Sequence, residues 1–163
     1  MLLPSRLEQL EINLDTAYRK YEFKRGKLLR AVDDDQEFKL HEDLAALSRQ
    51  IAAMESDWAT QISPIAQKME LSSQEAEPLV GEWIHATEKA MQRCQGDAPV
   101  LEKLTRLLTE LQTGKAASAK LKITLPIVPL LVNYEMELDT ESTLSQLWRK
   151  TRAFFTQEAA KNP

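Results

Sequence analysis

The chain has 163 residues, 43% of them hydrophobic, and a formal net charge of −4. That length fits one domain, or one domain with an extension, and the apolar share is enough for a packed core. The charge balance gives no general reason to expect a nucleic-acid partner, and the single cysteine, Cys94, permits no intramolecular disulfide.

Residues 1–62 read as two long heptad-patterned segments hinged at Val32, Asp33, Asp34 and Asp35. In the first, Leu7, Leu10, Leu14, Ala17 and Tyr21 recur at alternating spacings of three and four, and Leu28 follows one heptad later, which keeps them on one helical face. Lys24 interrupts this stripe unless its stem lies along the seam and its ammonium reaches water. Leu3 and Pro4 read as the helix entry, with Ser5 as a cap. Leu40, Leu44, Leu47, Ile51, Met54 and Trp58 repeat the pattern in the second segment. Lys27 and Arg30 close the first helix and the three aspartates open the second, both complementing the helix dipole. The connection is short, so the arms are expected to fold back antiparallel; the competing reading is one uninterrupted helix. The basic residues Arg19, Lys20, Lys24, Arg25, Lys27 and Arg30 read as a solvated helix end rather than a phosphate-binding surface.

The second arm is expected to end near Ile62, because Ser63 precedes Pro64; Ser63 capping a short new helix that carries Ile65 and Met69, or a kinked continuation, is equally allowed. Ser72 and Glu75 have capping-box spacing. After them, Leu79, Val80, Trp83, Ile84, Thr87, Ala90, Met91 and Cys94 suit one helical face that Gly96 terminates. Asp97 and Pro99 restart a helix whose stripe is Leu101, Leu104, Leu107, Leu108 and Leu111. Residues 115–120 form a small polar joint, the best internal boundary. Beyond it Leu121, Ile123 and Leu125 alternate with Lys122 and Thr124 at a strand period, and Pro126 and Pro129 then bracket Ile127 and Val128. Tyr134, Met136 and Leu138 continue the extended rhythm. Asp139 or Thr140 then caps a last helix bearing Leu144, Leu147, Trp148, Thr151, Phe154 and Phe155.

Residues that could carry chemistry are few. His41 and His85 are the two histidines. His41 and its sequence neighbours point in different directions, and the Glu82 and Glu88 flanking His85 match ordinary helix decoration. Cys94 ends an apolar stripe with no histidine near it, so it reads as a small hydrophobe. Trp58, Trp83 and Trp148 are core anchors. There is no phosphate loop and no zinc-ligand spacing. No catalytic, cofactor-binding or metal-binding residue is expected, nor any small-molecule substrate.

Two stretches carry a resemblance. Residues 32–44, from Val32 through Phe38 to Leu44, form an acidic hinge leading into a helix start. This resembles the helical hairpin of effector-associated adaptor regions in bacterial, particularly cyanobacterial, conflict-system proteins. Residues 121–130, followed by 134–138 and the Leu147–Trp148 helix, are similar to a segment of the same large proteins. In those architectures such modules join NACHT or related STAND NTPases, caspase-like proteases or TIR domains, and bring components together by like-with-like contact. The resemblance implies an adaptor role and no catalytic residue.

The expected fold is therefore mainly α. An antiparallel hairpin over 1–62 packs with further helices over 63–114 as a bundle. Residues 115–163 supply a short extended or β-hairpin-like segment near 121–138 and a C-terminal amphipathic helix. The expected function is a non-enzymatic protein–protein interaction module of the bacterial cytoplasm, acting in defence or signalling. Seam left uncovered would bind a partner helix or a second copy, which makes Leu7, Leu10, Leu14, Tyr21, Leu28, Leu40, Leu44, Leu47, Ile51 and Trp58 the candidate partner-binding residues. The alternative is a membrane-docking or membrane-active effector using residues 123–132 and the C-terminal helix. The chain shows no secretory signal and no apolar run of the ~20 residues a spanning helix needs.

Overall fold

A computed structural model describes residues 5–137 and 143–161, which fold as seven helices. The first two are α1 (Ser5–Leu29) and α2 (Asp34–Lys68). They form an antiparallel hairpin, pinned near its base by Arg6 to Asp57 at 2.7 Å and nearer its tip by Lys24 to Asp43 at 2.8 Å. Lys24 thus keeps its place on the stripe by sending its ammonium to a carboxylate at the edge. At the turn, Asp33 caps α2 by accepting the Gln36 N–H at 2.7 Å, and Arg30 N–H closes α1 on the Lys27 carbonyl.

The second arm does not stop at Ile62. It runs six residues further, to Lys68, with Pro64 inside it. Ile62 and Ala66 are both fully buried, so packing continues across the proline, while Pro64 itself lies on the exposed side. The carbonyl that Pro64 leaves without a helical N–H partner is that of Thr60, an exposed residue.

Next come α3 (Ser73–Arg93) and α4 (Ala98–Leu111), each opened by the cap its sequence announces. Ser72 accepts the Glu75 N–H and Asp97 accepts the Val100 N–H, both at 3.3 Å. Then come α5 (Ala117–Thr124), α6 (Val128–Glu137) and α7 (Thr143–Lys161). Asp139 and Thr140, expected to cap the last helix, lie outside the described residues, as do Leu3, Pro4 and Leu138; Ser5 is the first residue of α1.

The extended or hairpin-like segment expected near 121–138 is not formed. Through residue 137 this stretch is α5, a turn and α6. Beneath the apparent alternation lies a helical spacing, Leu121, Leu125, Val128 and Leu131/Val132, and all five are buried. The prolines are accommodated rather than disruptive: Pro126 sits in the turn, and Pro129 sits in the first turn of α6, where no helical N–H partner is needed. Lys122 also donates to the Met69 carbonyl at 2.8 Å, satisfying the C-terminal end of α2.

One continuous core runs from Leu7 to Ala159 and draws on every helix. α5 packs on α3 and α4, α6 on α2, and α7 on α3 and α6. α7 also lies antiparallel along α1, as the pairs Glu22–Arg149 and Glu11–Thr156 show. Trp58, Trp83, Trp148 and Phe155 are the largest fully buried side chains. Trp58 and Trp148 meet edge to face, centroids 5.7 Å apart, and Trp83 Nε1 donates to Thr151 Oγ1 at 2.8 Å.

Candidate functional site

The heptad seam faces inward. Leu7, Leu14, Ile51 and Trp58 are fully buried; Leu10, Tyr21, Leu40 and Leu44 are buried; Leu28 and Leu47 are partly buried against the core. The ten candidate partner-binding residues are thus covered chiefly by the chain's own helices. The apolar run at 123–132 is likewise taken up in large part, since Leu125, Val128, Leu131 and Val132 are core residues.

What the heptad pattern passes over is a polar cluster on that seam. Glu55, on α2 between Ile51 and Trp58, is fully buried. Its carboxylate accepts the Tyr18 hydroxyl at 2.7 Å and the Trp148 indole N–H, and Arg152 Nε lies 3.4 Å away. Burial holds the Glu55 carboxyl above the usual carboxylate range, against the opposing pull of Arg152, Trp148, Tyr18 and Arg149. Burial and the neighbouring Glu55 charge push the Tyr18 hydroxyl up as well. The Arg149 guanidinium stacks 4.5 Å from the Tyr18 ring centroid. Tyr18, Glu55, Trp148 and Arg152 are all buried, and the cluster ties α1, α2 and α7 together. Its signal is present in the sequence: Leu40, Leu44, Ser48, Ile51, Glu55, Trp58 and Ile62 lie along one helical stripe that includes two polar residues.

The other titratable groups singled out from sequence stay apart. His41 is exposed with Glu37 at 3.9 Å, His85 is exposed on α3, and Cys94 is buried at the end of that helix. Among the described residues no three His, Cys, Asp or Glu side chains converge as metal ligands. No described helix is long and apolar enough to cross a membrane.

The outer surface is more informative at the hairpin tip. Six large apolar side chains are exposed among the described residues, and four fall between 23 and 38: Phe23 (61%), Leu29 (83%), Val32 (91%) and Phe38 (66%). Lys27 Nζ lies 4.8 Å from the Phe23 ring centroid. Among the described ion pairs, the one furthest along α1 that joins it to α7 is Glu22–Arg149; beyond it Lys24–Asp43 joins the two arms to each other. Asp34 and Asp35 are exposed on the first turn of α2, beside Phe38 at helical spacings of four and three.

Two grooves complete the surface. One, of about 430 Å³, lies between α3 and α7 beside Pro78, Leu79 and Phe154; its charges cancel locally in the pairs Lys150–Glu82 and Lys161–Glu75. The other, of about 470 Å³, has Lys103, Arg106 and Lys115 on one side and Ile123, Ile127 and Leu130 on the other. Glu110 pairs with Lys115 at 3.9 Å, while Lys103 and Arg106 form no ion pair among the described residues.

Comparisons with protein-family models, curated proteins and solved structures return no match.

Proposed function

We propose that this chain is a non-enzymatic protein–protein interaction module, an adaptor that docks through the tip of its α1–α2 hairpin. The observation that carries this reading is the group of exposed apolar side chains at Phe23, Leu29, Val32 and Phe38, on the part of the hairpin past the Glu22–Arg149 pair. Burying such a group removes apolar surface from water, at about 25 cal/mol per Å², and mixed charges around it give a partner direction and register. Residues 32–44, which resemble the adaptor hairpins of bacterial conflict-system proteins, include the turn and two of these four residues. A cytoplasmic role in bacterial defence or signalling accords with that resemblance.

The test is in-cell photo-crosslinking, with a photoreactive residue placed at Phe38 and, as a control, at the exposed Ala53 of α2. Discrete protein adducts at 38 and none at 53 are expected. Lipid adducts at 38, or the same adducts at both positions, would contradict the reading.

A further inference from the structure

Three surface features stand apart from the buried network: the α3–α7 groove, the groove between α4 and the α5–α6 turn, and the charges of the hairpin tip. The first is electrically self-satisfied. The other two fit one another.

The α4 groove sets an apolar wall, Ile123, Ile127 and Leu130, against the cations Lys103 and Arg106, which lie three residues apart on one face of α4. Leu130 remains 53% exposed. A complementary occupant needs at least two carboxylates beside an apolar side chain, presented from a firm backbone. The first turn of α2 has this arrangement: Asp34 and Asp35 adjoin Phe38 on an N-terminus capped by Asp33. Asp34 and Asp35 form no ion pair among the described residues. Phe38 and Leu130 are both exposed in the single chain, so the two surfaces do not meet within it.

We propose that the acidic first turn of α2 in one copy docks in the α4 groove of a second copy, head to tail. The proposal rests on the hairpin tip being a docking element, and it names the surface that receives it. The contact is heterologous: each copy keeps a free tip or a free groove, so assembly extends beyond a pair into chains or a ring. Because the charges are exposed, salt weakens the contact.

The experiment is light scattering of the full chain across a concentration series at low and high salt, with thermal melts confirming that each variant is folded. The expected wild-type mass rises past that of a dimer with concentration and falls with salt. Asp34→Lys/Asp35→Lys and Lys103→Glu/Arg106→Glu should each raise the concentration required by about tenfold or more. Mixing the two variants should restore assembly, since the basic tip of one then meets the acidic groove of the other. A wild-type monomer at every concentration would overturn the proposal. So would assembly that survives Lys103→Glu/Arg106→Glu, which assigns the contact to tip against tip, or a mixture that fails to recover. Photo-adducts from position 38 to a different protein, with a monomeric wild type, would overturn the head-to-tail contact and leave the docking module standing.

Discussion

Glu55 on α2 accepts a hydrogen bond from the indole of Trp148 on α7, 93 residues further along the chain. The same carboxylate receives Tyr18 from α1 and faces Arg152. One acidic side chain therefore fixes how the hairpin and the last helix meet. Removing it alone leaves a phenol and an indole N–H without their acceptor, and a guanidinium without its counter-ion, in the core. Glu55→Ala is expected to cost about 3–5 kcal/mol in urea unfolding. The double replacement Glu55→Leu/Arg152→Met removes both charges together and should cost clearly less than Glu55→Ala. An equal or greater loss in the double variant would mean that the charges themselves stabilise the fold.

The pH dependence has a definite sign at two positions. Because the Glu55 value is raised on folding, the native state binds more protons than the unfolded state between the ordinary value of 4.5 and the raised one. Its contribution is present in full below the ordinary value and is lost as pH rises through the raised one. The stability gap between wild type and Glu55→Gln should therefore shift toward wild type as pH falls from 7. Asp43 behaves oppositely: the Lys24 hydrogen bond holds its carboxyl below the ordinary value of 3.8. Its contribution is present above that value and is lost as pH falls through the lowered one. Urea midpoints of Glu55→Gln and Asp43→Asn across pH 3–8 check both directions.

Ser48 sits on the seam with a buried hydroxyl that makes no hydrogen bond among the described residues. An unpaired polar group in the core costs free energy, so Ser48→Ala should raise stability, by about 1 kcal/mol or more, read as a higher urea midpoint at unchanged slope.

Pro64 interrupts the hydrogen-bond ladder of α2 while the helix continues to Lys68. Pro64→Ala restores the missing N–H at an exposed position. It should stabilise by up to about 3 kcal/mol, the interior cost of proline relative to alanine, with slower amide exchange over residues 60–68. Unchanged exchange would mean that the missing hydrogen bond does not limit the opening of this segment.

The hairpin, the aspartates that open α2 and the caps at Ser72 and Asp97 are legible in the sequence because each is a local signal. Two registers are harder to read. On α2 the buried stripe runs through Ser48 and Glu55, whereas the apolar Leu47 and Met54 lie one step aside and only partly buried. An apolar-only template shifts to the hydrophobic neighbours, and only Trp148 and Arg152, distant in sequence, explain why an acid belongs inside. At 121–132 the side chains fit both a period of two and a helical spacing, and tertiary burial of Leu121, Leu125 and Val128 selects the helix. The tip stands out in sequence by its aspartates and bases; the exposure of Phe23, Leu29 and Phe38 becomes visible only once the seam is seen to be filled from within. For the same reason a charge at Leu14 perturbs the core and does not report on a surface.

The most direct check on a free docking tip compares the melts of Leu14→Asp and Phe38→Asp. Leu14 is fully buried and Phe38 is 66% exposed. Leu14→Asp is expected to lose cooperative unfolding, or several kcal/mol of stability. Phe38→Asp should stay within about 0.5 kcal/mol of wild type, as for a residue that serves docking rather than folding. A Phe38→Asp variant destabilised as severely as Leu14→Asp would place the tip inside the fold and contradict the claim that it is free to bind.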